Sequence, residues 1–202
     1  LKRLFGVLLA QTAGELTGLW RRIEQMPFDW ISIWDHFYSA DGHSTRCFEG
    51  VAAHAALATS TERVRCGSLV YCAAYRHPAV LANAMATIDH FSGGRVNWGA
   101  GRGFDAKEFK AFGIDREESY PRFREHFEIV LEAWKQERLT YRGQFWDFEG
   151  VEVLPKPLQE PHPPIWVAAS TPGAIEWAAK QGHSIMMDPH SAHADIAAKR
   201  KL

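Results

Sequence analysis

The residues with chemical potential fall in a few short stretches. Asp35-His36-Phe37 follows the apolar run Trp30 to Trp34. An imidazole changes charge near neutral pH, so His36 is a candidate general acid or base, with Asp35 beside it to orient the ring. A structural histidine satisfied by a backbone carbonyl is the alternative. Leu69-Val70-Tyr71-Cys72 and Arg76-His77-Pro78 belong to the next apolar run and its exit. Nothing adjacent in sequence activates Cys72, which suits an inert core thiol. His77, directly before a proline, suits a structural role at the loop or helix start.

Gly99-Ala100-Gly101-Arg102-Gly103-Phe104 lacks the last glycine of the dinucleotide fingerprint, because Phe104 stands there. The glycines still allow close backbone approach to a ligand. Arg102 among them suits bidentate contact with a phosphate; a tight turn with a solvated arginine explains the same residues. Ser170-Thr171-Pro172 places hydroxyls at an expected helix N-terminus, where free N–H groups favour an anion. Ordinary N-capping by Thr171 is the competing account. No metal site is expected: the 10 His form neither HxH nor HExxH, and His190 and His193 lie in a polar tail. Glu108, Glu117 and Glu118 read as a solvated face rather than a catalytic carboxylate pair.

Positioning these residues falls to an alternation of apolar runs and amphipathic stretches. Strands are expected at Leu4 to Ala10, Trp30 to Trp34, Val64 to Ala73, Arg95 to Ala100, Ile165 to Ala169 and Ser184 to Met187. Helical spacing links them. Leu16, Leu19, Trp20 and Ile23 share one face; Phe48, Val51, Ala52 and Ala55 another. A third face carries Leu81, Met85 and Ile88, on a helix that starts near Pro78 and ends at Gly93-Gly94. A long helix aligns Phe123, Phe127, Val130, Leu131 and Trp134. The loop Ser39 to Thr45 separates the second strand from its helix. Tyr141 to Trp146 reads as a hairpin, within an insertion near 139–157, and a proline-rich connector follows.

Strict βα alternation implies parallel strands with crossover helices, in a doubly wound sheet or a barrel. Apolar strands imply cover on both faces. A closed (β/α)₈ barrel needs eight strands and about 250 residues, and the pattern supplies only six. With no initiator Met and an abrupt end at Lys201-Leu202, a fragment or processed chain is expected, forming one domain over 1–202.

The composition bounds the setting. The net charge of −1 and scattered basic residues, dense only at Lys199-Arg200-Lys201, exclude a nucleic-acid or anionic-lipid binder. The 3 Cys do not form a disulfide framework. No apolar run reaches the roughly 18 residues of a membrane helix. The opening Leu1-Lys2-Arg3-Leu4 lacks a clean cleavage site downstream, so a cytoplasmic protein is expected.

The ordered set of motifs resembles the luciferase-like monooxygenase family. Its signature is matched by Thr87 to Val96, by Gly99 to Gly103, by Glu108-Phe109 and by Phe112-Gly113. Trp34-Asp35-His36-Phe37, Arg76-His77-Pro78 and Pro163 to Ala168 match its other blocks, across nearly the whole chain. The resemblance implies an α/β TIM barrel, here incomplete, that binds reduced FMN or, in a sister branch, F420. It implies that Leu69-Val70 is a non-proline cis peptide supporting the flavin ring. Arg102 and Thr171 match flavin-phosphate contacts, and His36 matches the active-site histidine. Gly101 and Ser170 occupy cofactor-contact positions where bacterial luciferase has a cysteine and an acidic residue, which argues against light emission. The final two βα units of the family are not present.

The expected activity is a monooxygenase that takes reduced FMN from a separate reductase and uses O₂ on a small organic substrate. An F420-dependent dehydrogenase or reductase is the second reading. A truncated, non-catalytic flavin-binding paralogue is the third. The resemblance also implies a homodimer.

Overall fold

The structure, a computed structural model, describes residues 4–6, 12–39, 46–187 and 192–200. The expected strand residues 7–10, loop residues 40–45, His190 and Lys201-Leu202 lie outside these. In chain order the elements are β1 (Leu4–Gly6), α1 (Ala13–Glu24), β2 (Trp30–Ile33), α2 (Gly50–Ser60), β3 (Arg65–Ser68), β4 (Tyr71–Cys72) and α3 (Pro78–Ser92). Then come β5 (Val96–Gly101), α4 (Ala106–Ala111), α5 (Ser119–Lys135), β6 (Leu139–Arg142), β7 (Asp147–Val151), β8 (Ile165–Ala168), α6 (Pro172–Lys180), β9 (Ser184–Met186) and α7 (His193–Lys199).

The main sheet runs β1-β2-β3-β5-β8-β9, every pair parallel, with β4 beside β5. A doubly wound sheet reverses its strand order at a switch point. Here the order only advances, as barrel winding requires. Curvature is also visible directly. Trp30 on β2 and Trp166 on β8 have ring centroids 5.0 Å apart, although β3 and β5 separate their strands. Neighbouring strands lie about 4.8 Å apart, so a flat sheet would hold those rings out of contact. The third expected strand, Val64 to Ala73, is one barrel position split into β3 and β4, with a cis peptide at Leu69-Val70 between them.

The two faces of the sheet differ. Trp98 turns outward and stacks on Phe127 of α5, centroids 5.0 Å apart, with Trp134 edge-on at 5.1 Å. Cys66, Val96, Val167 and Ile165 share that buried layer with Leu81, Met85 and Ile88 of α3. On the concave side stand Trp30, Arg65, Asn97 and Trp166, with Arg65 Nε donating to Asn97 Oδ1 at 2.7 Å. The expectation of cover on both faces fails for β8, where Trp166 is half-buried and Ala168 exposed. No described strand lies between β9 and β1 to close the ring over them.

The helices that periodicity placed form there, with one face corrected, and the short helix α4 forms in addition in the stretch after β5 where a loop is expected. Thr12 caps α1 in a reciprocal box with Glu15, and Trp20 and Ile23 are buried. Pro78 opens α3, and Gly93, at φ +65°, ends it in a conformation that disfavours side chains. In α2 the buried face is His54, Leu57 and Ala58; Ala52 is exposed and Phe48 precedes the helix. That helix is alanine-rich and apolar all round, so periodicity did not fix which side turns inward.

The ends of the sheet are built differently. At the amino end Arg95 donates to the carbonyls of Ala58, Thr61, Val64 and Ser92. Buried Asp89 accepts from the N–H and side-chain amide of Gln159. The hairpin β6–β7 is antiparallel and separate from the main sheet. Glu125 of α5 latches its turn by accepting the N–H groups of Gln144, Phe145 and Trp146 at 2.9–3.1 Å. No helix among the described residues is long and apolar enough to cross a membrane.

Candidate active site

The carboxyl ends of parallel barrel strands are where such folds carry ligands. His36 follows β2, Leu69-Val70 separates β3 from β4, Gly101 ends β5 with Arg102 next, and Ser170-Thr171 follow β8. All the expected site residues therefore lie at one end of the sheet. β5 and β8 are direct neighbours, Ala100 registering with Val167. Arg102 and Ser170-Thr171 thus leave adjacent strands side by side.

The cis Leu69-Val70 step sits against β5. A Cβ built on Gly99 would lie 1.9 Å from the Ser68 carbonyl oxygen, and one on Gly101 would lie 2.5 Å from Val70 Cγ2. Only glycine at these positions lets the broken strand approach so closely. This accounts for the glycine spacing that superficially suggested a nucleotide loop.

Arg102 is partly exposed, and its guanidinium makes no hydrogen bond or ion pair among the described residues. Thr171 is the N-cap residue of α6, but its hydroxyl caps nothing, and Ser170 and Thr171 are both exposed. The capping account of these hydroxyls therefore does not hold for the side chain, and both remain available to a ligand.

His36 is oriented, though not by Asp35. Asp35 is buried and spoken for: Arg76 grips both its oxygens at 2.6 and 2.7 Å, and the Cys72 N–H donates to it at 2.9 Å. Arg76 also pairs with Glu49 and lies 5.6 Å over the Tyr71 ring. The group facing His36 is Glu108, whose oxygens lie 3.1 and 3.2 Å from Nδ1. Reading Glu108 as part of a solvated face is wrong: its side chain is 1% exposed. It also accepts the N–H groups of Phe37 at 2.6 Å and Tyr38 at 3.2 Å, and the hydroxyl of Tyr75. Burial, then this bond to Glu108, pushes the Tyr75 phenol well above its usual range.

Sequence reading missed Glu108 and Tyr75 as site-builders, and it singled out the Arg76 stretch without giving Arg76 its role. A weak signal existed for the first. Asp105 caps α4 through the N–H groups of Lys107 and Glu108, and an acidic residue in a first helical turn suits the helix dipole. Its partner His36, 72 positions away, left no trace in local pattern. Trp34 and Phe104 contact the His36 ring edge-on at 5.4 and 5.5 Å. Phe37 meets Phe112 at 5.0 Å, giving the site an aromatic rim. Cys72 is 5% exposed, and burial pushes its thiol up to about 12, as an inert core residue requires. His77 precedes α3 and packs on Phe148 of the hairpin at 5.5 Å, a structural contact.

A winding parallel barrel with this site at its carboxyl end defines a class, and residues 4–202 match the luciferase-like monooxygenase family. The chain belongs to that family. It is 36% identical over 135 residues to the oxygenase component of a flavin-dependent trigonelline monooxygenase of Acinetobacter baylyi, covering 66% of this chain and 37% of that protein. It is 31% identical over 176 residues to an F420-dependent glucose-6-phosphate dehydrogenase of Kineococcus radiotolerans, covering 84% of this chain and 50% of that one. Among solved structures, the monooxygenase RslO1 of Streptomyces bottropensis superposes with a TM-score of 0.88 at 31% identity, over 100% of this chain and 64% of that one. The chain thus spans less than two-thirds of the length of these relatives.

Proposed function

We propose that this chain carries the flavin-binding face of a luciferase-like monooxygenase. Its cofactor is reduced FMN supplied by a separate reductase, and its substrates are O₂ and a small organic molecule. One observation carries the reading. The Leu69-Val70 step, seated on Gly99 and Gly101, adjoins a phosphate-type donor set of Arg102, Ser170 and Thr171 on neighbouring strand ends. The donor set fits the group: a guanidinium and hydroxyls at a helix start, without partners among the described residues, suit a phosphate monoester. Reduced flavin would supply the electrons that activate O₂. Leu69 and Val70 would support the ring, Arg102, Ser170 and Thr171 would hold the phosphate, Gly101 would keep the approach open, and His36 would hold or move a proton at the ring's edge. The aromatic rim of Trp34, Phe104, Phe37 and Phe112 would exclude water from an apolar substrate.

The alternative is an F420-dependent dehydrogenase, favoured by the longer match to the Kineococcus enzyme. Titration of the protein with FMN, anaerobically reduced FMN and F420 separates the two. Preference for reduced FMN with flavin-dependent O₂ consumption is the expected result. Tight F420 binding with indifference to O₂ would replace this reading, and binding of none of them would end both.

A further inference from the structure

We propose that Glu108 is a positioning residue that fixes which nitrogen of His36 carries the proton, so that Nε2 is the basic edge offered to the pocket. The inference rests on His36 being the acid–base group of the proposed reaction. The geometry leaves little choice. An ionised carboxylate has only acceptors to offer, and the donors crowding Glu108 match that: the Phe37 and Tyr38 N–H groups on Oε1 and the Tyr75 hydroxyl on Oε2. The fourth neighbour, His36 Nδ1 at 3.1 and 3.2 Å, must then be a donor as well. A neutral imidazole with Nδ1–H keeps its lone pair on Nε2.

The surroundings hold that edge outward. Glu108 is 1% exposed while the His36 side chain is 22% exposed, so the ring's free edge lies away from the carboxylate. Trp34 and Phe104 bracket the ring edge-on and limit its rotation. Asp35 cannot serve instead, since Arg76 and the Cys72 N–H occupy it. One buried carboxylate thereby ties the exit of β2, the turn before α3 and the start of α4 to a single proton position.

Glu108→Gln tests this with nearly unchanged volume. Its carbonyl oxygen would still accept from the Phe37 and Tyr38 N–H groups, which turns its NH₂ toward Nδ1. Nδ1 must then accept, and the proton moves to Nε2. The readout is the ¹⁵N chemical-shift signature of the His36 imidazole in the flavin-free protein at alkaline pH, assigned by its loss in His36→Gln. The expected result is the Nδ1–H tautomer in the parent protein and the Nε2–H tautomer in Glu108→Gln. An Nε2–H tautomer in the parent, or no switch in Glu108→Gln, overturns the proposal. Should Glu108→Gln fail to fold, the parent tautomer and Tyr75→Phe decide. Removing the tyrosine hydroxyl leaves the carboxylate in place, so Nδ1–H must persist, and a switch there would reduce the effect to loop packing. Because the tautomer is read without flavin, Nδ1–H in a protein that binds no flavin sinks the functional reading while leaving this assignment standing. Flavin binding with Nε2–H does the reverse.

Discussion

Arg102 carries a guanidinium that the described protein leaves unpaired, at the point where the family resemblance expects a phosphate. Arg102→Ala is expected to weaken FMN binding by about 2 kcal/mol or more, through loss of a charge-assisted contact; isothermal titration measures it, and unchanged affinity would refute the phosphate assignment. The cysteines make a second residue-scale expectation. Burial pushes the Cys66 and Cys72 thiols up to about 12; desolvation, then the charges of Glu108 and Asp35, also raises Cys47, but that side chain alone of the three is exposed to a reagent. A thiol reagent at pH 8 should therefore modify Cys47 alone in the folded protein and all 3 cysteines after denaturation, counted by mass spectrometry. Labelling of Cys72 in the folded state would contradict its packing. The placing of His36, Gly101, Arg102 and Thr171 at one end of the sheet was legible, because parallel strands joined by crossover helices bring their carboxyl ends together. Glu108 was not. A charged residue looks the same in sequence whether solvent or a distant imidazole surrounds it, and Asp35 beside His36 was the more obvious, and mistaken, partner.

Among the elements, the latch between α5 and the hairpin has the clearest consequence. Glu125 is the acceptor for three consecutive turn N–H groups, and its removal leaves them searching for water. Glu125→Ala should cost about 2–4 kcal/mol in urea denaturation, and hydrogen exchange should show protection lost first at residues 144–146. Uniform loss across the sheet would mean the hairpin is not a separate unit. Most elements could be placed from periodicity and caps alone: α3 between Pro78 and Gly93, and α5 along its aromatic stripe. Two could not. An alanine-rich helix such as α2 has no polar stripe to say which way it faces. The break between β3 and β4 is invisible to hydrophobic pattern, because Leu69 and Val70 are themselves good strand residues; only the family resemblance pointed there.

For the molecule as a whole, pH sensitivity follows from two histidines sealed in the interior. His54 and His126 are 0% and 1% exposed. Burial lowers them from 6.5 to about 4 and about 3 respectively. The folded state then binds fewer protons than the unfolded chain below pH 6.5, so stability is full above that value and declines as the pH falls toward 4. Each imidazole should remove on the order of 1 kcal/mol per pH unit in that window. Urea midpoints at pH 7 and pH 5 test this, and His126→Gln should flatten the dependence; an equally steep decline in that variant would assign the effect elsewhere. The barrel winding was legible in βα alternation, and so was its shortfall, since six strands are fewer than the eight that close such a barrel; what the apolar pattern of β8 did not show is that Trp166 stands half-buried and Ala168 exposed. The split between a cross-linked amino end and a ligand-ready carboxyl end has a practical corollary. β5 alone separates Arg95 from Arg102, about 20 Å of extended chain, beyond the range over which substitutions usually influence one another. Someone redesigning this protein for hardiness could rework the Asp89–Gln159 end and expect selectivity at the other to follow its own course.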